Sequence, residues 1–281
     1  MGNVRSSVGR QRKWLQWYRL AWWVSLRGWA SIVDSLYWAL WQVRASGLRL
    51  RRALWGRRAT LLTAPAKVDP NKPVIVALAG LATSWEFLTP LIDGLTRRGF
   101  QVAVLPQLGH NLSSVPELAE YVKRFLRTHD DLSPVMFVTH SKGGLIAKRV
   151  LLDDPDWRYA VGAVVLAAPF AGATSARHIR GLTKFGKEII TLRPGTPSQL
   201  ELEHMDAQDS RISSISPLYD EVVGIRGRVR GGSNRAVSAL GHNRFLSDER
   251  LHALVEREVN RLWSEWQVRQ RASTTTPPTP A

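Results

Sequence analysis

One short segment of this 281-residue chain carries residue types suited to nucleophilic chemistry. The run Thr139-His140-Ser141-Lys142-Gly143-Gly144 follows the apolar stretch Val135-Met136-Phe137-Val138 and precedes a helical pattern. A serine on such a strand–tight turn–helix junction is held in strained backbone geometry with its hydroxyl exposed above the sheet. The turn needs small neighbours, because bulk two residues either side would meet the adjacent strand and helix. Gly143 meets that demand, whereas Thr139 stands where a first glycine is usual. Taken alone, Ser-x-Gly fits an ordinary helix N-cap serine equally well.

A serine nucleophile needs a base, and the base needs an orienting acid. On this kind of junction both come later in the chain, acid before histidine, on loops at strand ends. The run Ile212-Ser213-Ser214-Ile215-Ser216 predicts a strand stopped by Pro217, and Asp220 follows at once. By itself Asp220 reads as a solvated loop acid. The run Ala236-Val237-Ser238-Ala239-Leu240 predicts a last strand and ends in Gly241-His242, just before a closing helix. The other histidines (His110, His129, His140, His178, His204 and His252) fit the order or the position less well. His140 precedes the serine and is expected to point away from it. Two backbone amides are predicted to form an oxyanion hole: Leu81, on the loop after the first strand, and Lys142, directly after the serine. Donors aimed in this way are typically worth roughly 2.7–4 kcal/mol each in the barrier. Gly80 fits a close backbone approach there, and fits an ordinary strand-to-loop glycine as well.

The elements that must position these residues alternate. Strands are predicted at 74–78, 101–105, 134–139, 161–167, 211–216 and 234–240, from short β-branched or apolar runs. Between them, Phe87, Leu91 and Leu95 give helical spacing over 86–98, ended by Gly99. Ser114 and Glu117 match a capping box with Pro116 in the first turn, so a helix runs to about His129. Further helices are predicted at 143–152 and from Asp248 to about Gln267. This pattern is that of a mostly parallel sheet with helices on both faces. The basic segment from Gly172 to His204 falls where a small cap would lie over the site. Trp85 and Phe87 are expected either in the pocket wall or in the core.

The organisation is two-part. Residues 1–60 hold twelve basic side chains, one acid (Asp34) and eight of the 12 Trp, out of a net charge of +16 for the whole chain. Residues 61–72 read as a linker, 73–270 as the α/β body, and 271–281 as a disordered tail. The absence of Cys excludes disulfides, thiol nucleophiles and thiolate metal sites. The chemistry proposed needs no cofactor and no metal.

In the basic segment, Leu15, Tyr18, Trp22, Leu26, Trp29, Val33, Leu36, Leu40 and Val43 recur at gaps of three or four, the mark of an amphipathic helix. Arg12, Arg19, Arg27 and Asp34 form a narrow polar stripe. A wide apolar face with Trp and flanking Arg favours a helix lying in a membrane interface through residues 10–58. A spanning helix over 20–41 is the rival, although Arg27 and Asp34 would each cost about 2.5–3.5 kcal/mol near the bilayer centre. A helix docked on the body is the third reading. Basic residues at both ends favour the cytoplasmic side and the inner leaflet, and no signal peptide is evident. Nucleic-acid binding is not expected, because the Trp lie on an apolar helical pattern and no recognition module is visible.

With these pieces assembled, the chain resembles the α/β-hydrolase superfamily, and within it bacterial lipases and esterases and the lipase-like GPI inositol-deacylase relatives. The resemblance covers roughly residues 73–267. It is carried by Ala79-Gly80-Leu81, His140-Ser141-Lys142-Gly143-Gly144, Ala167-Ala168-Pro169-Phe170-Ala171-Gly172, Asp220-Glu221-Val222-Val223 and Gly241-His242. It implies Ser141 as nucleophile, His242 as base and Asp220 as orienting acid, cleaving carboxylic, lipid-like esters through an acyl-enzyme. Ala79 replaces the His that often precedes the oxyanion glycine in these families, which removes a supporting hydrogen bond. Thioester or other acyl hydrolysis shares the same triad. A catalytically silent hydrolase fold serving as a membrane scaffold is the alternative in another class.

Overall fold

The computed structural model describes residues 4–54, 62–63, 69, 71–178 and 180–275. The side chains of 4–21, which include Leu15 and Tyr18, lie outside the described residues, as do most of the expected linker and the tail from 276.

A long helix, α1 (Val4–Leu54), precedes an alternating body. The body comprises β1 (Ile75–Leu78), α2 (Thr89–Arg97), β2 (Val102–Val104), α3 (Val115–Thr128), β3 (Val135–His140) and α4 (Lys142–Leu152). It continues with β4 (Ala160–Leu166), α5 (Lys184–Thr191), α6 (Pro197–His204), β5 (Ile212–Tyr219), β6 (Ser233–Leu240) and α7 (Glu249–Thr275). The six strands form one parallel sheet in the order β2-β1-β3-β4-β5-β6. Strands β1, β3 and β4 are buried throughout, which is why they read as continuous apolar runs. Their side chains alternate between two cores. Val76, Leu78, Phe137 and Val165 face α3 and α4, while Ile75, Ala77, Met136, Val138 and Val164 face α2 and α7.

The capping box forms as expected: the amide of Glu117 donates to Ser114 Oγ and that of Ser114 to Glu117 Oε2. Other expectations need correction. Strand β5 does not stop at Pro217 but runs through it to Tyr219. The carbonyl of Ile215 faces β4, accepting from the amide of Ala167 at 2.9 Å. By alternation the proline nitrogen faces the same side, past the last β4 partner, so no ladder bond is lost. The segment 86–98 is a 3-10 turn, Trp85–Leu88, followed by α2 with Pro90 in its first turn. The closing helix continues past Gln267 to Thr275. Phe87 is fully buried in the core, against Tyr37 and His140.

Helix α1 docks on the body. Leu26, Ala30, Val33, Tyr37, Trp41, Ala45 and Leu48 recur at gaps of three or four and, with Asp34, form the half-buried or buried face. Tyr37 and Trp41 pack against the α2/α7 core. The apolar stripe read from the sequence lies largely elsewhere, since Trp22, Trp29, Leu36, Leu40 and Val43 are exposed. Asp34, read from the sequence as part of a narrow polar stripe, is 1% exposed. Among the described residues no helix is long and apolar enough to cross a membrane.

Candidate active site

Chain order places β2 on one side of β1 and β3 on the other. The loops leaving the carboxyl ends of β1 and β3 therefore diverge, and a crevice opens between them. Ser141 sits there, at the junction of β3 and α4, with φ 53° and ψ −125°. That conformation is strained for a residue with a Cβ, and it lifts the hydroxyl off both elements. The following Gly143 is required by packing: a Cβ there would collide with the carbonyls of Leu78 and Ala79 at the end of β1.

The three side chains expected to cooperate do converge, from three different strand ends. Ser141 Oγ lies 3.0 Å from His242 Nε2, and His242 Nδ1 lies 2.9 Å from Asp220 Oδ2. The other carboxylate oxygen, Asp220 Oδ1, accepts from the amides of Val222 at 2.9 Å and Val223 at 2.7 Å. Asp220 is thus neither solvated nor free to turn. Burial opposes its ionisation, but His242 and those two amides outweigh it and hold the carboxyl below its ordinary range. For His242, burial disfavours the imidazolium, yet the adjacent Asp220 carboxylate prevails and raises its pKa above the ordinary value.

The loop expected to supply one oxyanion amide abuts the serine. A Cβ on Gly80 would stand 3.0 Å from Ser141 Cβ. Asn111 Nδ2 donates to the carbonyls of Ala79 at 2.8 Å and Gly80 at 3.2 Å, and so fixes the peptides that precede Leu81. Lys142 is the first residue of α4, so its amide has no intrahelical acceptor. Its side chain is fully buried and points the other way, with Nζ donating to the carbonyls of Asn111 and Ser113 and to Glu188 of α5 at 2.9 Å. Burial pulls its pKa below the ordinary lysine value.

His140 corrects an expectation. It does not point away: its ring lies 4.8 Å from that of His242, centroid to centroid, and its Nε2 donates to the His242 carbonyl at 3.0 Å. Burial, then the neighbouring His242, drives its pKa down to about 3, so it is a neutral donor. Neither Trp85 nor Phe87 reaches the cavity wall.

A cavity of about 550 Å³ opens on Ser141 and His242. Its apolar wall comes from Leu81, Ala173, Ala176, Phe185, Ile189, Leu192 and Val222, so the segment after Gly172 does form a cap over the site. Helix α1 contributes Asp34, Ser35, Trp38 and Ala39 to the same wall. Gln42 Nε2 of α1 also donates to the Ala82 carbonyl at 2.7 Å. Sequence reasoning missed Asp34, Glu221, Asn111 and the Lys142 side chain. The one signal available was that Asp34 is the single acid in a strongly basic segment. Among the described residues no group of three or more His, Asp or Glu is placed to hold a metal ion.

A family model described as serine aminopeptidase, S33, matches residues 69–201. No curated protein matches the chain. Among solved structures, the mature Bacillus licheniformis lipase BlEst2 is 15% identical, with a TM-score of 0.54, covering 70% of this chain and 96% of its own. A Paleococcus ferrophilus monoacylglycerol lipase is 18% identical, with a TM-score of 0.50, covering 69% and 96%. A metagenome-derived lipolytic enzyme, from work on LipS and LipT, is 13% identical, with a TM-score of 0.52, covering 72% and 96%. These likenesses show an α/β-hydrolase fold.

Proposed function

We propose that this chain, an α/β-hydrolase by fold, is a serine hydrolase of carboxylic, lipid-like esters acting at a membrane surface. The observation that carries the reading is the Asp220–His242–Ser141 relay, with links of 2.9 and 3.0 Å, ending on a strained serine that faces an apolar cavity. Ser141 Oγ attacks the ester carbonyl while His242 Nε2 takes its proton. The tetrahedral oxyanion is held by the amides of Leu81 and Lys142. His242 then protonates the leaving alcohol. Water, deprotonated by the same imidazole, releases the acid from the acyl-enzyme. Asp220 keeps the proton of the neutral imidazole on Nδ1, which leaves Nε2 free to accept.

The apolar wall supports an acyl chain as the group bound. The outward face of α1 supports a bilayer as the place of work: Trp22 is 62% exposed, Trp29 67% and Val43 73%. Leu36 and Leu40 are exposed on the same helix, which also carries the exposed Arg27 and Arg44. Apolar residues with Trp and Arg suit an anionic lipid surface. Trp38 lies both in the cavity wall and partly at the surface, which supports entry of a substrate from that side of α1.

The test is labelling of the full chain by a fluorophosphonate probe, followed by turnover of p-nitrophenyl esters and matching thioesters. Wild type should label and Ser141→Ala should not, with its fold intact. Full activity in Ser141→Ala refutes the reading. Faster turnover of thioesters would move the assignment to a thioesterase. Flotation on anionic vesicles should fall when Trp22 and Trp29 are changed to Glu, and unchanged partition removes the membrane element.

A further inference from the structure

We infer that Asp34, on the N-terminal helix, is a positioning residue for His242, so that α1 forms part of the active site. The inference rests on the reading of Ser141 and His242 as nucleophile and base. Asp34 Oδ1 accepts from the amides of Asn243 at 2.8 Å and Arg244 at 2.7 Å. Asp34 Oδ2 accepts from Asn243 Nδ2 at 2.7 Å. The carboxylate thereby caps, from 209 residues away in sequence, the 3-10 turn Arg244–Ser247 that continues the His242 loop. The two amides of a turn start have no partner within the turn, and a buried carboxylate is their strongest acceptor.

The residue before the histidine is shaped to admit this contact. Gly241 has φ +104°, and a Cβ on it would stand 2.5 Å from Asp34 Oδ1. Any other residue would be strained and would push the carboxylate off the amides.

His242 is consequently held along its backbone by three side chains. Its amide donates to Glu221 Oε1 at 3.3 Å, its carbonyl accepts from His140 Nε2 at 3.0 Å, and the next two amides are held by Asp34. Asp220 then fixes the ring itself. Asp220 and Glu221 come from the loop after β5 and His140 from β3, so Asp34 alone comes from outside the α/β body. Glu221 adds a consistent detail. Burial, then the adjacent Asp34, pushes its pKa up to about 8, so Glu221 is protonated at neutral pH.

The decisive variant is Asp34→Asn in the full chain, which keeps the volume and removes the charge. Tyr37→Phe is the control: its hydroxyl ties α1 to Ser247 Oγ at 2.6 Å, at the far end of the turn from the Asn243 and Arg244 amides that Asp34 holds. Active sites are counted by fluorophosphonate titration, turnover is read with p-nitrophenyl butyrate, and amide exchange is followed over 241–247. In Asp34→Asn we expect kcat per titrated site to fall about 10- to 100-fold with KM changed less than about threefold. Exchange at Asn243 and Arg244 should quicken. Tyr37→Phe should change neither readout by more than about twofold, even where it lowers stability. If Asp34→Asn does not fold, Asn243→Ala removes one of the bonds and should lower kcat per site in the same direction. A kcat per site within about twofold of wild type in the folded variant overturns the inference, whatever happens to exchange. If the wild type neither labels nor turns over esters, the functional reading has failed. Exchange then decides alone: unchanged protection overturns the contact, and faster exchange upholds it.

Discussion

Replacing Asp220 by Asn reverses the histidine's proton without moving its atoms. Asp220 Oδ1 is occupied by the amides of Val222 and Val223, at 2.9 and 2.7 Å. Both are donors, so the asparagine must present its oxygen to them and its NH2 group to His242 Nδ1. A ring nitrogen facing a donor must accept, so the proton moves to Nε2 and points at Ser141 Oγ, 3.0 Å away. The base can then no longer take the serine proton. Reversal of this kind in a serine triad lowers kcat by about 10⁴, which corresponds to about 5.4 kcal/mol at 1.36 kcal/mol per decade. Because the carboxamide retains the loop amides, the urea midpoint should move little. Turnover of p-nitrophenyl butyrate, normalised to folded protein, measures the loss. A loss below tenfold with Val222 and Val223 still protected from exchange would refute the reasoning, since it would mean that Asp220 does not set the tautomer.

Three further outcomes are expected. His242 must be neutral to act, and its pKa is raised above the ordinary imidazole value, so kcat/KM should rise with pH along a limb centred above that value; a limb at or below it contradicts the pairing with Asp220. Glu221 has a folded pKa of about 8 against a lower ordinary value, so the unfolded chain loses its proton first and stability should fall as pH rises between the two. Glu221→Gln should flatten that fall in denaturant midpoints, and an unchanged slope would count against the assignment. Lys148 and Asp209 form an ion pair at 2.9 Å with side chains 2% and 1% exposed. Lys148→Met should therefore lower unfolding free energy by about 3–5 kcal/mol in urea, because it leaves a carboxylate buried without its cation; a loss under about 1 kcal/mol would show that water reaches Asp209.

The parts of this protein legible in the sequence are those decided by neighbours in the chain. Ser141 could be found because a strand, a tight turn and a helix start are local, and Gly143 records the clearance the turn needs. The alternation of strands and helices was equally local, as was the capping box at Ser114. Asp220 and His242 could be placed by chain order, since each follows a strand that ends at the same edge of the sheet. Tertiary structure decided the rest. Pro217 is a strand breaker only where its nitrogen faces a partner, and β4 has ended before it. His140 turns toward His242 because that carbonyl offers it a bond across 102 residues. Periodicity showed that α1 is amphipathic, but not which stripe would meet the body, because a helix that is apolar over much of its circumference has more than one face to bury. Asp34 settled that choice. A buried carboxylate needs donors, and the donors stand at Asn243 and Arg244, whose position beside α1 no stretch of the sequence encodes by itself.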